Sequence, residues 1–299
     1  MRLSRLLVPV LAASALCVPA EASAAPKYYL SLGDSYSQGY QPIGPKQADI
    51  PTNNGYTDFL GPQARKVKGY KGLKVVKLGC GGATTGSMLD GSRRCEKARP
   101  YASTSPATSQ LAYATKFMRR HRGQITLVTL SVGGNDVAPC GAKPTFAEIA
   151  GCVNTGLARI KKNLPIIAAQ LRKAAGAKAV IIGSTYPDVV LGQYVKNDQG
   201  KTVASASVTV FRDQINPTLK NAYAAKRIRF VDATAAFGAY IPFTQTTTLA
   251  PYGDIPVAVA NICTLAWYCD ARAQGPDIHL KPAGYRKMAD AYLAALRKR

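Results

Sequence analysis

The chain has 299 residues, 47% of them hydrophobic, and a formal net charge of +23 at pH 7. That apolar content excludes a disordered or low-complexity chain, and the length suits one sizeable α/β domain with a full core. The Lys and Arg are dispersed and form no recognised nucleic-acid motif. The charge therefore argues for electrostatic association with anionic lipid or cell-wall surfaces, with solubility alone as the alternative, and against a nucleic-acid partner.

Residues 1–25 open with Arg2 and Arg5, continue through an apolar run from Leu6 to Ala20 and end on Ala22-Ser23-Ala24. This is the pattern of a cleaved secretory signal, too short in its apolar core for a membrane span. Cys17 would leave with it, because the bulky Leu16 before it does not suit a lipid-anchor site. Loss of Arg2, Arg5 and Glu21 takes away one net positive charge and leaves +22 on a secreted, extracellular domain of residues 26–299.

Five β-branched or apolar runs follow as candidate strands: Tyr28 to Leu32, Leu73 to Leu78, Ile125 to Val132, Ala179 to Ile182 and Ile228 to Val231. Helical patterns lie between and after them, at Tyr56 to Lys68, Ser109 to His121, Phe146 to Ala175, Val203 to Lys226 and Pro282 to Arg297. Alternating strands and helices predict a parallel sheet. Pro165 and Pro217 sit inside two of the helical patterns and should kink or split them, since proline has no N–H to donate. Two segments read as irregular, Gly91 to Thr108 and Ala235 to Pro276. The second offers Phe237, Tyr240, Phe243, Tyr252, Trp267 and Tyr268 either for a pocket wall or as satellites of the core.

Without Cys17, six cysteines remain, an even number that in an exported chain favours disulfides over metal ligation. The sequential pairing Cys80–Cys95, Cys140–Cys152 and Cys263–Cys269 is expected, because each pair brackets a short Gly/Pro/polar segment.

Four loops at the expected C-terminal ends of strands carry unusual residues: Gly33-Asp34-Ser35, Gly79-Cys80-Gly81-Gly82-Ala83-Thr84-Thr85, Gly133-Gly134-Asn135-Asp136 and Gly275-Pro276-Asp277-Ile278-His279. In these blocks, and in their order, the chain resembles the SGNH hydrolases, the subgroup of GDSL lipases and esterases named for a Ser, a Gly, an Asn and a His. The resemblance implies a three-layer α/β/α sandwich with a five-stranded parallel sheet in flavodoxin-like order. It implies Ser35 as nucleophile, His279 as base, and an oxyanion hole of the Ser35 and Gly82 backbone N–H groups with the Asn135 amide. Gly81 is an adjacent competitor for Gly82.

The chemistry asks for the same residue types. A serine hydroxyl needs a base near neutral pKa, and histidine is the usual supplier. Of the two histidines, His121 sits among Arg119, Arg120 and Arg122 at a helix end, which leaves His279. Asp34 and Asp136 are read as loop hydrogen-bonders. The chain departs from the family where an aspartate three residues before the histidine would stand, for that position is Pro276. Either Asp277 turns inward to orient His279, or a main-chain carbonyl such as that of Pro276 does so, and the carbonyl is preferred.

The expected activity is that of a secreted serine esterase or lipase cleaving a small-molecule or lipid acyl ester through an acyl-enzyme. O-deacetylation of a cell-wall or plant polysaccharide is the alternative within the chemistry, and an inactive basic surface-binding protein the alternative outside it. No metal or organic cofactor is expected, and a monomer is.

Overall fold

The computed structural model describes residues 25–91 and 108–298. The expected signal and Cys95 lie outside the described residues, as does most of the first irregular segment.

All five expected strands form, within a residue or two of the sequence reading: β1 Lys27–Gly33, β2 Leu73–Lys77, β3 Ile125–Ser131, β4 Val180–Ser184 and β5 Arg229–Val231. They join in parallel in the order β2-β1-β3-β4-β5. Neighbouring residues on one strand go to opposite faces, so apolar runs without alternation mean a sheet covered on both sides. Tyr29, Leu127 and Ile182 belong to one buried cluster, while their neighbours Leu30, Val128 and Ile181 belong to the other.

The first face is covered by α2 (Tyr56–Arg65) and α11 (Pro282–Arg297), which contribute Leu60, Tyr285, Met288 and Tyr292. The second is covered by α3 (Thr85–Asp90), α4 (Gln110–Arg120), α6 (Phe146–Ala175) and α8 (Asn216–Ala224), through Met88, Leu111, Ile160, Leu164 and Leu219. This is the three-layer α/β/α sandwich with flavodoxin-like strand order. Two short helices, α1 (Ser35–Gln38) and α5 (Gly134–Val137), follow β1 and β3 directly.

Of the two prolines expected to break helices, Pro165 does not split its helix, since α6 runs as one element of 30 residues. One missing N–H is outweighed there by a buried stripe of Ile160, Leu164, Ile167, Ala168 and Leu171 on the sheet. The pattern 203–226 does break, into α7 (Asp198–Val210), a π-helical turn Phe211–Ile215 and α8, with Pro217 in the first turn of α8.

The segment read as irregular before His279 is partly regular. It holds α9 (Ala233–Ala236), an antiparallel hairpin of β6 (Thr246–Leu249) and β7 (Gly253–Pro256), and α10 (Val257–Leu265). The sequence Val-Ala-Val-Ala-Asn-Ile-Cys-Thr-Leu of α10 lacks the polar face that would mark an amphipathic helix. Disulfides join Cys140 to Cys152 and Cys263 to Cys269.

Candidate active site

In a sheet of order 2-1-3-4-5 the chain leaves β1 in one direction and β3 in the other, and the crevice between those strand ends is where ligands bind. Gly33 is paired with Ser131 at that edge, so the loops after β1 and β3 start level. Gly33 has φ +125°, and a side chain there would lie 2.0 Å from the Ser131 carbonyl oxygen, so only glycine fits. Gln110 on α4 grips the same residue twice, accepting from the Gly33 N–H at 2.7 Å and donating to its carbonyl at 2.9 Å.

Asp34 caps α1, its Oδ1 accepting from the Tyr36 N–H at 3.1 Å and its Oδ2 from the Tyr186 hydroxyl. Ser35 is therefore the first helical residue, buried to 6% exposure. Among the described residues neither its N–H nor its hydroxyl has a hydrogen-bond partner.

The loop after β2 turns through Gly82 at φ +74°, and the Gly82 N–H likewise has no acceptor among the described residues. Gly81 is held for another reason: a Cβ there would sit 2.6 Å from the Tyr40 hydroxyl. After β3, Asn135 donates one amide proton to the Ala83 carbonyl at 3.0 Å, which aims its side chain at the glycine loop. Asp136 accepts from the Thr85 N–H at 2.8 Å and hydroxyl at 2.7 Å, and so ties the glycine and asparagine loops together. Asn163 of α6 donates to the same hydroxyl at 3.2 Å.

His279 precedes α11 and is brought to the serine turn by two tyrosines. The Tyr36 hydroxyl donates to the Ile278 carbonyl at 2.6 Å, and the rings of Tyr36 and Tyr40 lie 6.1 and 5.8 Å from the imidazole. The preferred carbonyl of Pro276 is not what holds the ring. Asp277 Oδ1 lies 3.1 Å from His279 Nδ1 and also accepts the His279 N–H at 2.8 Å. The reason is local: an aspartate readily folds back on the backbone N–H two residues ahead, and this turns its carboxylate inward. Its Oδ2 is paired with Arg272 at 2.9 Å, with both side chains 6% exposed. A second carboxylate, Asp49, stands 3.5 Å from the same Nδ1. His279 Nε2 is buried and unpartnered among the described residues.

Burial by itself lowers the His279 pKa, but hydrogen bonds and charge from Asp277 and Asp49 outweigh it and push it up to about 9. Asp277 shows the mirror image: burial raises it, and its bonds and attraction to His279 prevail and hold it well below the carboxylate range. Asp34 is raised by burial to about 7, only partly offset by its hydrogen bonds from Tyr186 and Tyr36. Asp49, Asp277 and His279 each bring a ligand-type atom within 4.8 Å of the others. The Arg272 guanidinium already supplies the cation at Asp277, so the cluster is a carboxylate–imidazole pair rather than a metal centre.

Sequence reasoning missed Asp49, Arg272, Tyr186 and Gln110. None lies in a motif, and nothing short of the folded chain marks them. Of the two readings open for the six aromatics, pocket wall or satellites of the core, the structure favours the frame. Phe237 and Tyr268 are buried in the core, Phe243 packs on Tyr194, and the Tyr240 and Tyr252 hydroxyls bond Asn216 and the Cys269 carbonyl. Trp267 lies under the Lys281 ammonium. A groove of about 720 Å³ between α6 and α8 is lined by no serine, cysteine or histidine.

Comparison with known proteins agrees with this fold. Phospholipase A1 from Streptomyces albidoflavus NA297 is 19% identical, with 91% of this chain and 98% of that one covered, at TM-score 0.53. A lipase from a goat rumen metagenome is 13% identical over 91% and 99%, at TM-score 0.53. A variant of an acetyl xylan esterase from Geobacillus stearothermophilus is 19% identical over 91% and 94%, at TM-score 0.50. At such identities the likeness shows the fold alone. A comparison with curated proteins finds no match. The family model of the GDSL-like lipases and acylhydrolases matches residues 31–287, nearly the whole of the described chain and all four loops, and this protein therefore belongs to that family of carboxylic ester hydrolases.

Proposed function

We propose that the protein is a secreted serine esterase in which Ser35 is the nucleophile and His279 the general base. The observation that carries this reading is the His279 Nε2 atom, buried and unpartnered beside the serine turn while Nδ1 is held by a carboxylate. A buried polar atom left open costs about 1–3 kcal/mol, a cost that a functional partner explains. Ser35 Oγ adds to the ester carbonyl as its proton passes to Nε2. The tetrahedral intermediate expels the alkoxide, which takes that proton, and water then repeats the sequence on the acyl-enzyme. The open N–H groups of Ser35 and Gly82 and the second amide proton of Asn135 are the donors for the oxyanion, each such donor worth about 2.7–4 kcal/mol of transition-state stabilisation. Asp277 acts as a positioning residue, keeping the proton on Nδ1 and supporting the imidazolium.

The substrate is an acyl ester, and +22 on the mature chain favours one presented at an anionic lipid or wall surface. The test is hydrolysis of p-nitrophenyl acetate, octanoate and palmitate by the mature protein, with Ser35→Ala as control. Serine-dependent turnover that rises with chain length is the expected result. Turnover of acetate alone would move the substrate to acetylated polysaccharide, and no turnover above the control would leave a surface-binding protein.

A further inference from the structure

The loop 41–50 closes on itself through the antiparallel pair Gln41 and Ile50 and a Gly44 N–H to Ala48 carbonyl bond of 3.0 Å. Its tip is clamped to the histidine segment. Arg272 donates to the Gln47 carbonyl and Gln274 to the Lys46 carbonyl, both at 2.7 Å. Lys46 and Gln47 have φ of +53° and +58°, a conformation that strains a side-chain-bearing residue. The two clamps hold them there, and the result is that the loop delivers Asp49 to His279 Nδ1.

The charges around the ring count unevenly. Asp277 is matched by Arg272, whereas among the described residues the one ion-pair partner of Asp49 is His279. Arg272, Asp277 and Asp49 together carry one net negative charge, which the imidazolium formed during acyl transfer would neutralise. We propose that Asp49 is a second positioning residue for His279, so that the charge on the imidazole depends on the docking of the 41–50 loop through Arg272.

This inference rests on His279 being the base of the proposed reaction. Facing the ring as well are Tyr36, whose hydroxyl burial keeps neutral, the ring of Tyr40, and Asp34, which interacts with the imidazole through space.

The test uses the mature protein and two readouts. With only two histidines in the chain, the His279 ring can be followed by NMR and assigned with His279→Gln. Asp49→Asn should move the His279 titration midpoint about one pH unit lower, shift the acidic limb of kcat/KM by the same amount, and reduce kcat about five- to tenfold at unchanged KM. Asp49→Glu should recover most of both. A midpoint unmoved by Asp49→Asn overturns the inference even if the enzyme is slower. If the midpoint moves in a protein whose esterase activity survives Ser35→Ala, the reading of Ser35 fails while Asp49 still holds His279.

Discussion

Asp34 and Asp277 make the same local turn and end with opposite proton affinities. Each carboxylate folds back on the N–H two residues ahead, Tyr36 for one and His279 for the other. Around Asp34 the remaining donor is a neutral phenol, Tyr186, so burial dominates and the pKa rises to about 7. Around Asp277 the partners are a guanidinium and an imidazole, and the acid stays ionised. One aspartate is built to hold the backbone before Ser35 and the other to hold a charge. What differs is the third residue that packs against each, which no local pattern records.

The widest break in that comparison is at the reacting atoms. Ser35→Ala or His279→Ala should each lower kcat by about 10³-fold or more, measured on a soluble p-nitrophenyl ester. Because these two act as one unit in the proposed reaction, the double variant should be no slower than either alone.

Asp277→Asn comes next. It should cost about 10²-fold in kcat, and it should also lower Tm by several degrees, because it strips the charge that pairs a buried Arg272. Asp34→Asn leaves no buried cation unpaired, and it should cost less in both measurements.

The two acids also divide the pH response. His279, with its pKa raised to about 9, must lose a proton to act as base, so kcat/KM should climb through pH 8 to about 9. Stability should run the other way. The contribution of a raised histidine is complete below its unfolded pKa near 6.5 and is lost as pH rises through about 9. Asp34 and Asp188, both raised by burial to about 7, bind protons more tightly folded than unfolded, so stability falls further between pH 4 and 7. Asp277, held low, contributes above the unfolded carboxylate range and is lost in acid. Tm should therefore peak near pH 4 while activity peaks several pH units higher, and Asp188→Asn should flatten the fall in Tm between pH 4 and 7.

The smallest expected effect sharpens the contrast at Asp34. Tyr186→Phe removes one neutral hydrogen bond and should lower stability by about 1–2 kcal/mol with kcat changed less than about threefold. A larger loss of activity would mean that the phenol does more than hold the cap.

Most of the frame was legible because buried parallel strands write themselves as unbroken apolar runs, and α6 and α11 as long periodic ones. Their reading failed where the signal has no period. The nine residues of α10 are mostly apolar and lack a continuous polar face, and Pro165 is overridden by packing that no window of sequence contains. At the site, Ser35, Gly82 and Asn135 stood out because each sits in a glycine-marked turn after a strand, whereas the expected strand before His279 does not form and its segment follows α10. Asp277 was read alongside a carbonyl that the fold does not use.

Sequence by itself determined the strand order of events, the four loops and the residue types they carry, since each is a property of contiguous residues. Only the tertiary structure decided what surrounds the imidazole. Asp49, 230 residues before His279, reaches the ring on a clamped loop, and Arg272, seven before it, bears on the ring only through its buried ion pair with Asp277. Charge and burial act through space, so the pKa values on which this chemistry depends belong to the fold rather than to any segment of the chain.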